Sequence, residues 1–259
     1  MRAAGTNCDA ETAYAFESSG AKVEPLHINI LLKGEKTLAD YQILAIPGGF
    51  TYGDDVASGK ILANELRLKL LNEITAFVQE GNLVIGICNG FQILVKARLL
   101  PAIDGLGGRQ EATLTFNDSG KFEDRWIRLR PGNGRPSRCI WTEGIGEPIE
   151  LPIAHGEGKF VTADPSSLAK LQENRQIVFQ YCDAQGRPAG DFPDNPNGSV
   201  EGIAGICDPT GRIFGLMPHP ERHVWVTQHP CWTRGKHRSK EGDGAKIFRN
   251  GVRYAKKNL

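Results

Sequence analysis

Apolar and polar positions divide the chain into two parts of different character. In the first hundred residues, unbroken apolar runs alternate with stretches whose apolar positions recur at helical spacing. Gln42-Ile43-Leu44-Ala45-Ile46, followed by Pro47-Gly48-Gly49, reads as a strand buried on both faces, with its loop at the carboxyl edge of a sheet. Leu83 to Ile87 reads the same way. Between them, Ile61, Leu62, Leu66, Leu68, Leu70, Leu71, Ile74, Phe77 and Val78 predict one or two helices, stopped by Gly81. Upstream, Asn7 or Asp9 can cap a helix running to about Ser18 and stopped by Gly20. Lys22 to Asn29 alternates like a strand, and a short helical piece is predicted around Leu38. Strands and helices taking turns in this way predict a doubly wound parallel sheet.

After Pro101 the runs shorten. Ala112 to Phe116, Trp126 to Arg130, Cys139 to Thr142, Ile149 to Ala154 and Ile177 to Tyr181 are strand-like and separated by Gly, Pro, Asn and Asp, which predicts a mixed or antiparallel extension of the sheet. Ile203 to Cys207 and Ile213 to Met217 form a hairpin around Asp208-Pro209-Thr210-Gly211. Pro131 to Pro136 and Gly186 to Gly198 read as loops, and Gly244 to Asn258 as a terminal amphipathic helix. With no internal repeat and no linker, the expectation is one α/β domain over residues 1–259. Its layers are three: a mostly parallel central sheet flanked by helices, with the mixed extension at one side.

Composition narrows the partners. The 259 residues carry 31 Lys and Arg against 30 Asp and Glu, a net charge of +1, so no strong field invites nucleic acid or an anionic membrane. The one basic concentration, Arg234 to Lys240, is followed by Glu241 and Asp243 and reads as a solvated loop. No apolar run approaches the roughly 18–20 residues of a transmembrane helix, and the first residues do not read as a signal-peptide h-region. The six cysteines are scattered, without C-x-x-C spacing. That excludes a disulfide scaffold or zinc module and fits a reducing, cytoplasmic setting.

The candidate chemistry begins at Cys88. The apolar run Leu83 to Ile87 passes into helix-like Gln92-Ile93-Leu94-Val95-Lys96-Ala97 with almost no loop, and Gly86 and Gly90 flank the cysteine two residues away on each side. This is the glycine spacing of a nucleophile elbow, with sulfur in place of oxygen. A free cysteine is usually a small core residue; the coincidence of strand, paired glycines and helix N-terminus makes this one a nucleophile. A nucleophilic cysteine needs a base, and the base an orienting group. Met217-Pro218-His219-Pro220-Glu221-Arg222 supplies both. The prolines favour extended backbone, which would point His219 and Glu221 to one side.

Gly86-Ile87-Cys88-Asn89-Gly90-Phe91-Gln92 together with His219-Pro220-Glu221 resembles the class I (triad) glutamine amidotransferases. Further stretches narrow the likeness: Gly5-Thr6-Asn7-Cys8-Asp9, Pro47-Gly48-Gly49-Phe50-Thr51-Tyr52-Gly53-Asp54, Thr113 to Asn117, Ala154-His155-Gly156-Glu157-Gly158-Lys159 and Asn195 to Ser199. They are similar, nearly end to end, to the glutaminase subunits of phosphoribosylformylglycinamidine synthases of purine biosynthesis. The resemblance implies that Cys88 attacks the side-chain amide of glutamine, His219 acts as base and then acid, and Glu221 holds its ring. It implies an oxyanion hole from the Gly48-Gly49 loop, through the N–H of Gly49, and from Asn89. Gln92 is a candidate for the α-amino acid end of glutamine. His155 and Glu157 belong either to the glutamine site or to the interface with a synthetase.

On the same resemblance, the ATP-driven step falls to a synthetase partner, with a small accessory subunit as a further expected partner. ATP and Mg are expected there, and no cofactor or metal on this chain. Two departures stand out: an apolar strand is expected before Arg2, where only Met1 stands, and Arg222 to Lys240 is longer and richer in His than in the shorter members. Gly53 to Ile61 is no P-loop, with five residues between the glycines and Ile in place of Ser or Thr. His219, His223, His229, Cys231 and His237 suggest a metal site, but Pro220 and Pro230 prevent one helix from aligning them. The alternatives are a glutaminase for another synthetase and a non-catalytic regulatory subunit of the same fold.

Overall fold

In the computed structural model, residues 1–132, 137–234 and 239–259 are described. Part of the expected loop at Pro131 to Pro136, part of the basic stretch at Arg234 to Lys240, and His237 lie outside them. In chain order the strands are β1 (Ile43–Ile46), β2 (Leu83–Ile87), β3 (Ala112–Thr115), β4 (Glu123–Pro131), β5 (Ile149–His155), β6 (Lys159–Thr162), β7 (Ile177–Cys182), β8 (Ile203–Cys207) and β9 (Ile213–Leu216). The helices are α1 (Asp9–Ser18), α2 (Ile28–Leu32), α3 (Lys60–Glu65), α4 (Leu71–Gln79), α5 (Asn89–Lys96), α6 (Pro165–Glu173) and α7 (Ala245–Asn258).

Seven strands form one sheet in the order β1-β2-β9-β8-β7-β4-β5. β1, β2 and β9 run parallel, and every later pairing is antiparallel. The α/β fold with a mixed extension is therefore present, with a smaller parallel part than expected. β3 and β6 leave the main sheet and pair with each other. Every residue of β2, β7, β8 and β9 is buried, which is why those strands read as continuous apolar runs.

Three expectations need correction. Lys22 to Asn29 forms no ladder: only Arg2 and His27 are bridged. His27 Nδ1 accepts from the Asn29 N–H and caps α2, so the chain turns into a helix where alternation suggested a strand. Cys139 to Thr142 is a 3-10 turn at Ile140–Thr142, because Trp141 is pulled inward, its indole donating to the Arg212 carbonyl at 3.0 Å. The first helix begins after Cys8 without a side-chain cap, rather than with one from Asn7 or Asp9. Sequence reading also passes over β6 and α6, although Asp164 as cap and Pro165 at the first helical position mark the start of α6.

The parallel end positions the site. β2 and β9 pair with Gly86 opposite Gly215 and Ile87 opposite Leu216. Both strands then leave the sheet at its carboxyl edge, β2 into Cys88 and β9 towards His219. α5 lies directly on β2, β9 and β1, and small residues permit the approach: a Cβ at Gly90 would run into the Ile46 carbonyl and one at Gly86 into the Gly90 carbonyl. Both glycines are thus required by contact, which the spacing alone foretold.

Gly90→Ala is expected to lower unfolding stability by about 3 kcal/mol or more, since the clash is with backbone that cannot rotate away. Chemical denaturation measures this, and a change within about 0.5 kcal/mol would show that strand and helix can part freely.

Candidate functional site

Cys88 occupies the turn between β2 and α5 with φ 52° and ψ −107°. A non-glycine residue in this region carries strain of about 1–3 kcal/mol, held here by hydrogen bonds on both sides. The Cys88 N–H donates to the Leu216 carbonyl at 2.8 Å, and its carbonyl accepts from Phe91 and Gln92 N–H at 3.0 and 3.1 Å. The residue is 6 % exposed, with Sγ 3.7 Å from the Ala154 carbonyl oxygen.

His219 follows β9 and is fixed by its own N–H, which donates to the Pro152 carbonyl at 2.8 Å. Its Nδ1 lies 2.6 Å from Glu221 Oε1, both residues being buried. The expected meeting of imidazole and carboxylate occurs, but the backbone between them is not extended. Pro220–Arg222 is a 3-10 turn, and tight coiling rather than alternation brings residues two apart together. Burial works against charge on His219, yet the Glu221 carboxylate, followed by the sulfurs of Cys88 and Cys8, raises its pKa well above the ordinary value. Its Nε2 is buried and without a hydrogen-bond partner. An empty acceptor or donor beside two sulfurs is suited to exchanging a proton with an attacking thiol and with a leaving group, contacts that often close only when substrate is present.

Gly48 and Gly49 border the same space. A Cβ at Gly48 would lie 2.9 Å from His219 Cε1, 3.1 Å from Cys8 Sγ and 3.4 Å from Cys88 Cβ, so a side chain there would fill the gap between the two catalytic candidates. Among the described residues, the N–H groups of Gly49 and Asn89 have no hydrogen-bond acceptor. Two free donors beside a nucleophile are what a developing oxyanion needs. The Asn89 side chain is otherwise occupied. Its Oδ1 accepts from Thr51 N–H and Oγ1, and its Nδ2 donates to Asp54 Oδ1 and Gln92 Oε1.

Gln92, expected near the α-amino acid end of a substrate, has both ends of its amide engaged within the protein. Nε2 donates to the Glu157 carbonyl at 2.6 Å. The structure therefore places Gln92 as a tie between the elbow helix and the loop after β5. His155 is buried, and burial, then His219, push its pKa down to about 3, so the ring is neutral. Asn117 Oδ1 accepts from the Gly158 N–H at 3.0 Å and lies 3.1 Å from His155 Nδ1. That makes Nδ1 the protonated nitrogen and leaves the buried Nε2 as an unpartnered acceptor. Glu157 carries no contact to Cys88; its carboxylate accepts from Ser58 N–H at 3.4 Å.

Sequence reading assigns no role to several residues that shape this site. Asn117 and Asn197 pin the Gly158 backbone from two sides, through its N–H and its carbonyl. Buried Lys96 donates to the Ser58 and Leu114 carbonyls, and burial lowers its pKa. Asp54 holds the loop after Gly49 through Asn89 Nδ2 and the Gly59 N–H. Of the histidines considered for metal, His223 Nδ1 sits 2.7 Å from the Glu150 carbonyl and His229 Nε2 3.0 Å from the Glu150 carboxylate. Among the described residues, those whose ligand atoms do cluster, within 4.8 Å of one another, are Cys8, His219 and Glu221, inside the site just described.

Comparison with known proteins meets this geometry. The family described as CobB/CobQ-like glutamine amidotransferase domain matches residues 1–255. Phosphoribosylformylglycinamidine synthase subunit PurQ of Dehalococcoides mccartyi is 49% identical over 256 residues, 99% of this chain and 96% of its own length. The subunit of the same name from Methanococcus maripaludis strain S2 is 44% identical over 99% of this chain and 96% of its own length. Among solved structures, PurLQS from Thermotoga maritima is similar with a TM-score of 0.72 and 32% identity, over 98% of this chain and 95% of that one.

The raised pKa of His219 gives a stability test. A group raised in the fold contributes stability that is complete below its unfolded pKa, about 6.5, and is lost as pH rises through the folded value. Glu221→Gln removes the carboxylate that raises it. The melting-temperature deficit of this variant should be largest below about pH 6.5 and narrow as pH climbs. A deficit flat with pH would show that Glu221 does not charge His219 in the folded protein.

Proposed function

We infer the function from a premise that its relatives supply: this chain belongs to the CobB/CobQ-like glutamine amidotransferase family, in its PurQ-type branch. It is the glutaminase subunit of a phosphoribosylformylglycinamidine synthase, converting glutamine and water to glutamate and ammonia for a synthetase partner. Its assembly takes in a synthetase subunit and a small accessory subunit, a reading supported by the similarity to PurLQS. The observation that carries the site assignment is the buried His219–Glu221 pair at 2.6 Å, set beside a cysteine on a strained strand-to-helix turn.

His219 Nε2 holds the proton taken from the Cys88 thiol, in keeping with its raised pKa, and Cys88 Sγ attacks the side-chain carbonyl carbon of glutamine. The carbonyl oxygen becomes an oxyanion between the Gly49 and Asn89 N–H groups. As the intermediate collapses, His219 returns the proton to the departing ammonia and a thioester remains. Water, activated by the same imidazole, then attacks the thioester, and glutamate and the free thiol are released. Glu221 keeps the imidazole oriented and favours the imidazolium formed at each step. No nucleotide, metal or prosthetic group enters these steps; ATP and Mg belong to the partner, in keeping with the absence of a P-loop in this sequence. A cytoplasmic setting suits a chain whose six cysteines are free, and no helix among the described residues is long and apolar enough to cross a membrane.

In the complex, Cys88→Ala should abolish glutamine-dependent synthesis and leave ammonia-dependent synthesis intact, because added ammonia bypasses the thioester. His219→Ala should slow glutaminase turnover by roughly 10²–10⁴, with Glu221→Gln milder. Glutamine-dependent synthesis surviving in Cys88→Ala would remove the reading. Isotope-labelled glutamine and a glutamate-release assay measure all three.

A further inference from the structure

We propose that Cys8 is a positioning residue for this reaction, one that ties the oxyanion-forming peptide to the loop carrying the base. The inference rests on the glutaminase reading and concerns a residue with no part in the steps above.

Asn7 and Cys8 N–H both donate to the Gly48 carbonyl, at 3.3 and 3.2 Å. Around them the two segments run antiparallel, with Thr6 bridged to Gly49, Phe50 N–H on the Gly5 carbonyl at 2.9 Å and Tyr52 N–H on the Ala4 carbonyl at 2.8 Å. In a trans peptide the carbonyl and the following N–H point in opposite directions. Holding the Gly48 oxygen against residues 7 and 8 therefore turns the Gly49 N–H the other way, to the side on which β2 ends at Cys88. Rotating that peptide would strand two donors and remove the oxyanion contact. The segments touch so closely that a Cβ at Gly49 would lie 2.7 Å from Asn7 N and from the Gly5 oxygen.

The Cys8 side chain makes a second, separate link. Cys8 is buried, and its sulfur receives the Arg222 guanidinium at 3.1 Å while lying 3.1 Å from Asn7 Oδ1. Arg222 is three residues beyond His219 and closes the turn, its N–H on the His219 carbonyl at 3.2 Å. Ligand atoms of Cys8, His219 and Glu221 fall within 4.8 Å of one another, and His219 Nε2 beside them has no hydrogen-bond partner and is buried. One residue thus reaches the oxyanion peptide through its N–H and the base-bearing turn through its sulfur. A shift of about 1 Å between those two groups can cost a hundredfold in rate, so this tie sets catalysis rather than glutamine affinity.

The experiment uses the complete synthetase complex and measures glutamate release, with ammonia-dependent synthesis as the control for assembly. Cys8→Ala should lower kcat about ten- to a hundredfold with KM for glutamine changed less than threefold, and Cys8→Ser, which keeps a polar atom for Arg222, should recover most of the loss. Arg222→Met should resemble Cys8→Ala, and the double variant should be no worse than the poorer single one. A kcat unaffected in Cys8→Ala, a serine variant as impaired as alanine, or fully additive losses would each overturn the proposal. If Cys88→Ala retains glutamine-dependent turnover, the glutaminase reading itself fails. If Cys88→Ala is inactive while Cys8→Ala is normal, only this inference falls.

Discussion

The site depends on backbones approaching more closely than side chains allow. Gly86 and Gly90 let α5 sit against β2 and β1 at the turn of Cys88, and Gly5 and Gly49 do the same for the pair of segments beside it. Each approach brings peptide groups to the place where a side chain would stand, and peptide groups are rigid dipoles that need no ordering before reaction. What accumulates around Cys88 is therefore mostly main chain. The candidate catalytic side chains are few and follow the ends of two adjacent strands, β2 and β9.

Irregular backbone of this kind must have its polar groups satisfied if it is buried. Asparagine does much of that work, because one amide offers two donors and an acceptor in a fixed plane. Asn89 fastens the loop after Gly49 to the elbow helix. Asn117 and Asn197 fasten the loop after β5 from opposite sides. Gln92 and Lys96 add carbonyl contacts from α5. The functional loops are thus joined to one helix by a polar layer, beneath which the apolar core packs.

The parallel strands and the elbow were legible because their constraints are local: an apolar run, two glycines, a helix start. His219 and Glu221 were legible as residues, though the tight turn that joins them was not, since a proline-rich segment can be extended or coiled. In the antiparallel half the strands are legible except for β6, and Cys139 to Thr142 reads as a strand where the depth of Trp141 in the core makes a turn. Lys22 to Asn29 shows that alternation does not make a strand without a partner. Asn117, Asn197, Lys96 and Cys8 were hidden for another reason: each acts on backbone groups distant in sequence, and no spacing pattern marks such contacts.

The register between β2 and β9 has a mechanical consequence. His219 and Glu221 belong to one tight turn, whereas Cys88 follows the neighbouring strand and is coupled to β9 through the Leu216 carbonyl. The separation between base and carboxylate is thus internal to one short piece of chain, while that between nucleophile and base is the offset of two strands. A slip of one residue would displace one against the other by about 3.3 Å. The relative placement of the two is therefore set by strand register, held by the pairing of Gly86 with Gly215 and of Ile87 with Leu216.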